Sequence, residues 1–146
     1  MANKIKKGEL KKFFAKYSVS GRFFAATRGA DLDGMLETAD EEFTEADFGE
    51  AEDIDGVVVD IEDGEGRVIY DASYGAVKGE IELGEEYSAR YRVSARYIAE
   101  VDAHSLEEVF EISKHMFEEA DFGDMEDVDG ELISIENADG NFVYEA

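Results

Sequence analysis

Residues 43–72, FTEADFGEAEDIDGVVVDIEDGEGRVIYDA, lie without a gap on residues 117–146, FEEADFGDMEDVDGELISIENADGNFVYEA, and fifteen of these thirty positions are identical. The same offset of 74 residues extends the match back to residues 16–72 on 90–146, with Tyr17 on Tyr91, Val19 on Val93, Ser20 on Ser94, Arg22 on Arg96, Ala25 on Ala99, Leu32 on Leu106 and Glu37 on Glu111. Self-similarity of this kind sets the architecture as two copies of one supersecondary unit. The expected organisation is a tandem duplication: a first repeat over 1–72 with a basic N-terminal arm, a joint over 73–86 and a second repeat over 87–146.

Each repeat reads the same way. Tyr87, Ala89, Tyr91, Val93, Ala95, Tyr97, Ala99, Val101 and Ala103 alternate with polar residues, the period of a sheet buried on one face. Tyr17, Val19, Gly21, Phe23 and Ala25 repeat the pattern, and it suits either one long strand or a tight hairpin. Leu32, Met35, Leu36, Ala39, Phe43 and Ala46 then follow helical spacing, as do Leu106, Val109, Phe110, Ser113, Phe117 and Ala120 behind the capping signature Ser105-Leu-Glu-Glu108. The EADFG segment closes the helix, with Gly49 or Gly123 available for a left-handed residue. Two strands follow, 57–62 with 67–71 around DGEG and 131–136 with 141–145 around NADG, sequences suited to a type I turn with a glycine bulge. The expected fold is therefore α+β: two β(β)αββ units with antiparallel sheets and one helix each.

Charge separates the ends of the chain. Of 146 residues, 38 are acidic and 14 basic, for a net charge of −24, and Cys, Pro and Trp are absent. Eight of the bases and a single acid, Glu9, lie in residues 1–28, so the remainder is a dense polyanion. A hydrophobic fraction of 44% is too high for a disordered acidic tail. Without cysteine there is no disulfide framework, thiolate metal site or thiol nucleophile. The N-terminus lacks a signal-peptide core and no stretch of about 20 apolar residues occurs, so a cytoplasmic protein that does not enter membranes is expected. Such a body repels nucleic acid and anionic lipid and draws in basic proteins.

Candidate chemistry is sparse. His104 and His115 align with Ala30 and Glu41, and Ser105 beside His104 reads as an N-cap. No glycine-rich phosphate loop is present. Asp53, Asp55, Gly56 and Glu62 fall at positions of a calcium loop, as do Asp127, Asp129, Gly130 and Glu136, but the first ligand position holds Ala51 or Met125, and a strand continues where a helix is required. Neither an enzyme, a cofactor nor a metal is expected.

What the copies retain is a row of carboxylates: Glu45, Asp47, Glu50, Glu52, Asp53 and Asp55 in the first, and Glu119, Asp121, Asp124, Glu126, Asp127 and Asp129 in the second. Turn and helix-exit requirements explain part of this retention. The other explanation is imitation of phosphates, since B-DNA presents one charge per about 1.7 Å and −24 corresponds to roughly 40 Å of duplex. In size, acidity and lack of cysteine and of a catalytic set, the chain resembles the acidic DNA-mimic proteins that phages and mobile elements use against host defence, such as antirestriction and anti-CRISPR proteins. Each half, typified by YRVSARYIAEVDAHSLEEVFEISKHMFEEADFGDMEDVDGELISIEN, is also similar to small mobile-element proteins of the DpnD/PcfM-like kind. The resemblance implies a non-enzymatic inhibitor, monomeric or homodimeric, whose partner is a basic nucleic-acid-binding protein of host defence and not nucleic acid itself. The alternative is an acidic structural or adaptor module for protein interaction.

Overall fold

The computed structural model describes residues 10–28, 31–73, 75–77 and 85–146. The basic arm up to residue 9 and most of the joint lie outside these. Nine elements follow in order: β1 (Lys11–Thr27), α1 (Leu32–Glu45), β2 (Glu52–Glu62), β3 (Val68–Asp71), β4 (Ala76–Val77), β5 (Tyr87–Ala103), α2 (Leu106–Glu119), β6 (Glu126–Asn137) and β7 (Phe142–Glu145). At the 74-residue offset α1 coincides with α2 and β3 with β7 to the residue.

The alternating segments are single strands of 17 residues rather than hairpins. In β1 and β5 the odd-numbered positions from Ala15 to Thr27 and from Tyr87 to Ala103 are buried, and most even-numbered ones are exposed. Strong alternation over such a length holds one face against a core, because a slip of one residue would turn the whole apolar set to water. The two strands pair antiparallel along their full length, with Val19 opposite Ala95 at the midpoint.

The antiparallel α+β pattern is present, and the sequence leaves open whether the two units share one sheet. All seven strands among the described residues form one sheet, in the order β4-β3-β2-β5-β1-β6-β7. Each hairpin leaves its own half: β2 pairs with β5, and β6 pairs with β1. The crossing is set by the helix. A helix starting at the end of a long strand runs back over the sheet, and the strand that follows it descends on the far side of the partner's long strand. Strands β2 and β6 also begin five residues earlier than the alternation of 57–62 and 131–136 suggests, since their first residues are acidic and exposed and carry no apolar period.

Both helices lie on the odd-numbered face, α1 against β1 and α2 against β5 and β1. Asp31 caps α1 by accepting from the Gly34 N–H at 2.8 Å, and Ser105 caps α2 by accepting from the Glu108 N–H at 3.2 Å. The Glu108 carboxylate returns the bond to the His104 N–H at 2.8 Å, which holds it below the usual carboxylate range. In the turns, Gly66 and Gly140 take φ of +83°, beside Asp63 and Asn137, whose side-chain oxygens each accept two backbone N–H groups.

The core is interlocked. Phe43 of α1 stacks on Tyr91 of the other half, with centroids 4.9 Å apart, and Phe117 of α2 stacks on Tyr17 at 5.1 Å. Phe48 and Phe122 are buried against Phe23 and Tyr97. Phe43 and Phe117 are only half-buried, since each ring caps the edge of the core, where it rests over Gly56 or Gly130. A Cβ on Gly56 would stand 2.4 Å from the Phe43 ring, so the strand must carry glycine there.

Candidate functional site

The segment between each helix and the following strand, 46–51 and 120–125, turns over the middle of the sheet, and the two segments meet. Gly49 and Gly123 hold φ of +59° and +57°, the left-handed region that glycine enters freely. At that bend the Glu50 N–H donates to the Asp121 carbonyl at 2.8 Å, and the Asp124 N–H to the Asp47 carbonyl at 2.7 Å. Side chains complete the exchange: Asp124 accepts from the Asp47 N–H at 3.0 Å and Glu50 from the Asp121 N–H at 2.9 Å. Asp47 and Asp121 each also accept from the glycine N–H two residues on, at 2.8 Å.

Four members of the acidic row are thus structural acceptors at a loop-to-loop contact. Asp53 and Asp127 have a backbone reason as well, since both take positive φ, 51° and 50°, at bulges where β2 and β6 leave register, and Asp tolerates that conformation better than most residues. They reach Arg96 and Arg22 at 3.9 and 3.7 Å. Asp55 stands opposite Ser94 and Asp129 opposite Ser20, on the face away from the helices. Glu52 and Glu126 stand opposite Arg96 and Arg22 on that same face. Only Glu45 and Glu119 lie at helix ends, Glu119 beside His115 at 3.0 Å. All twelve residues are exposed, but they do not make one surface. The structure divides them between the two faces of the sheet.

A more coherent acidic surface emerges on the helix side. Residues 31–51 hold nine carboxylates and no base, and residues 104–125 hold seven and one lysine, Lys114. Fifteen of the sixteen are exposed, Glu108 being the exception. Asp33, Glu37, Glu107 and Glu111 belong to this surface and were missed in the row. The signal for them is the helical period itself, which leaves these positions on the stripe opposite Met35, Ala39, Val109 and Ser113.

The helix ends carry their charge at a cost. Glu41, Glu42 and Glu45 crowd the last turns of α1, and Glu118 and Glu119 the last turn of α2, with no basic residue in either. A helix C-terminus carries about half a negative charge, so each carboxylate there destabilises by a few tenths of a kcal/mol to about 1 kcal/mol. Below this surface Asp40 accepts from the Tyr91 hydroxyl at 2.6 Å. Burial and this carboxylate hold the Tyr91 phenol far above its ordinary value, and burial together with Glu50 raises Tyr97.

No group of three or more metal-ligating side chains occurs among the described residues, and the residues aligned with a calcium loop lie along β2 and β6, where Glu62 pairs with Arg90. His104 stands within 3.3 Å of Glu108, with Nε2 buried and unpartnered, and His115 is exposed. No helix among the described residues is long and apolar enough to cross a membrane. No protein family, curated protein or solved structure matches the chain.

Proposed function

We propose that the protein is a non-enzymatic inhibitor whose helical layer presents nucleic-acid-like charge to the basic groove of a nucleic-acid-binding protein, such as a host defence nuclease or effector complex of the kind met by antirestriction and anti-CRISPR proteins. The observation that supports this most is the placing of Glu41, Glu42, Glu45, Glu118 and Glu119 against the helix C-terminal dipoles and against one another. Selection for stability alone would replace them. A 14-residue helix is about 21 Å long, so two such helices offer carboxylates over roughly 40 Å, a little more than one turn of duplex DNA. The inhibitor acts in the reducing cytoplasm. Its halves arose by tandem duplication, which doubled the acidic surface about one axis.

The test is a variant with these five glutamates changed to glutamine. The parent, immobilised at low salt, captures a nucleic-acid-binding protein that duplex DNA displaces, and the variant does not, while melting at a higher temperature. Single exposed ion pairs contribute about 0–1 kcal/mol, so only the grouped change is informative. A variant that retains the same partner at the same affinity overturns the reading. The competing reading, an acidic structural or adaptor module, is favoured by the four carboxylates given over to the loop-to-loop contact. It predicts a captured partner that DNA does not displace.

A further inference from the structure

The sheet face turned away from the helices has a different chemistry, and an inference from it stands apart from the acidic helical layer. Even-numbered positions of the central strands point there, and they include six of the fourteen basic residues: Lys12, Lys16, Arg22, Arg90, Arg92 and Arg96. Most are neutralised. Lys12 pairs with Glu100 at 2.6 Å, Lys16 with Glu136 at 2.5 Å, and Arg90 with both Asp60 and Glu62. Among the described residues Arg22 forms one ion pair, with the exposed Asp127 at 3.7 Å, and stands opposite Glu126. Arg92 makes no ion pair among the described residues; it stands directly opposite Arg22 on one side and Val57 on the other.

Like charges directly opposite on neighbouring strands destabilise a sheet. In a chain with 38 carboxylates, an arginine pair left without an anion between its members is therefore a feature to explain. It is also confined to one half. The position matching Arg92 in the first repeat is Ser18, which stands opposite Glu131. Beside the arginine pair a groove of about 410 Å³ opens, lined by Ser20, Arg22, Val59, Arg90, Arg92 and Asp127.

We propose that this groove binds a compact phosphate monoester, its oxygens shared between the Arg22 and Arg92 guanidiniums and the Ser20 hydroxyl. A guanidinium offers a planar fork of donors matched to phosphate oxygens, and a phosphate monoester carries about −1.5 to −2 charges at neutral pH, which Arg92 and Arg22 balance once Arg22 exchanges the exposed Asp127 for the phosphate. The volume lies within the range of small-ligand sites. Asp127 in the lining, with Asp129 opposite Ser20 and Asp55 opposite Ser94, turns away an extended polyanion while leaving room for a single phosphate. Val59 supplies an apolar wall for the body of the ester.

The intact protein is titrated with inorganic phosphate at constant ionic strength set by chloride, and backbone amide shifts are followed by NMR. Saturable shifts confined to residues 20–22 and 90–92 are expected, weakened about tenfold or more by Arg92→Ser and unchanged by Lys12→Gln. Arg92→Ser installs the residue the first repeat carries and removes a like-charge contact, so the fold is retained; Arg22→Gln is a second variant with the same expected loss. Shifts spread over all basic residues, or binding by both arginine variants as tight as the parent's, overturn the proposal. Tighter binding of succinate than of phosphate overturns the choice of phosphate, and tighter binding of a single-stranded oligonucleotide at these residues overturns the choice of a compact ligand.

Discussion

Gly49 and Gly123 show how much one residue carries here. A Cβ at either would lie 2.0 Å from a backbone carbonyl of the facing loop, Asp121 or Asp47, and φ is left-handed at both. Gly123→Ala is expected to cost about 2–4 kcal/mol, combining the conformational penalty with separation of the loops, as read by urea denaturation. The phenol of Tyr91 gives a second expectation. Its pKa is raised in the folded protein, so between the unfolded value near 10 and the folded value the native state holds a proton that the unfolded chain has lost. Stability is then fully present below about pH 10 and falls as pH rises beyond it. Denaturation midpoints measured from pH 8 to 11 are expected to drop over the last unit, and Tyr91→Phe reduces the drop, leaving the part due to Tyr97. A midpoint equally steep in Tyr91→Phe assigns the alkaline loss elsewhere.

Helices and strands were legible because each has a strong local signal. The 17-residue alternation, the capping residues and the DGEG and NADG turns each act within a few residues of themselves, and β5, α2 and both turns stand where those signals lie. Strand partnership was not legible. Gly56 and Val58 could face the core against β1 as well as against β5, and only the path of the helix decides between them. The acidic row is ambiguous for a related reason: a retained acid such as Glu50 or Asp124 looks the same in sequence whether it faces a partner protein or a backbone N–H across the axis. Phe48, 5% exposed, and the half-buried Phe43 separate the two kinds of core position at the helix exit. Phe48→Ala is expected to cost about 3–5 kcal/mol and Phe43→Ala about half of that, because the ring of Phe43 already keeps part of its surface in water. Calorimetry of both variants tests the order.

At the scale of the molecule, the crossing hairpins make the halves mutually dependent. Both neighbours of β1, namely β5 and β6, come from the second half, and both neighbours of β5, namely β1 and β2, come from the first. Fragments 1–73 and 74–146, produced separately and mixed, are expected to form a one-to-one complex by light scattering with the circular dichroism of the whole chain. Two independently folded fragments that ignore each other would contradict the sheet order. The same arrangement governs how the protein is made. A chain emerging from the ribosome N-terminus first exposes β1 with both its edges bare, and neither is covered until 60 or more residues later, the inner one by β5 and the outer by β6. Contacts so distant in sequence slow folding, and bare edges invite pairing with other chains. The nascent first half is therefore the stage most exposed to aggregation, and the bases of residues 1–28, rather than the carboxylates that follow, are the like charge that keeps neighbouring bare edges apart during that wait.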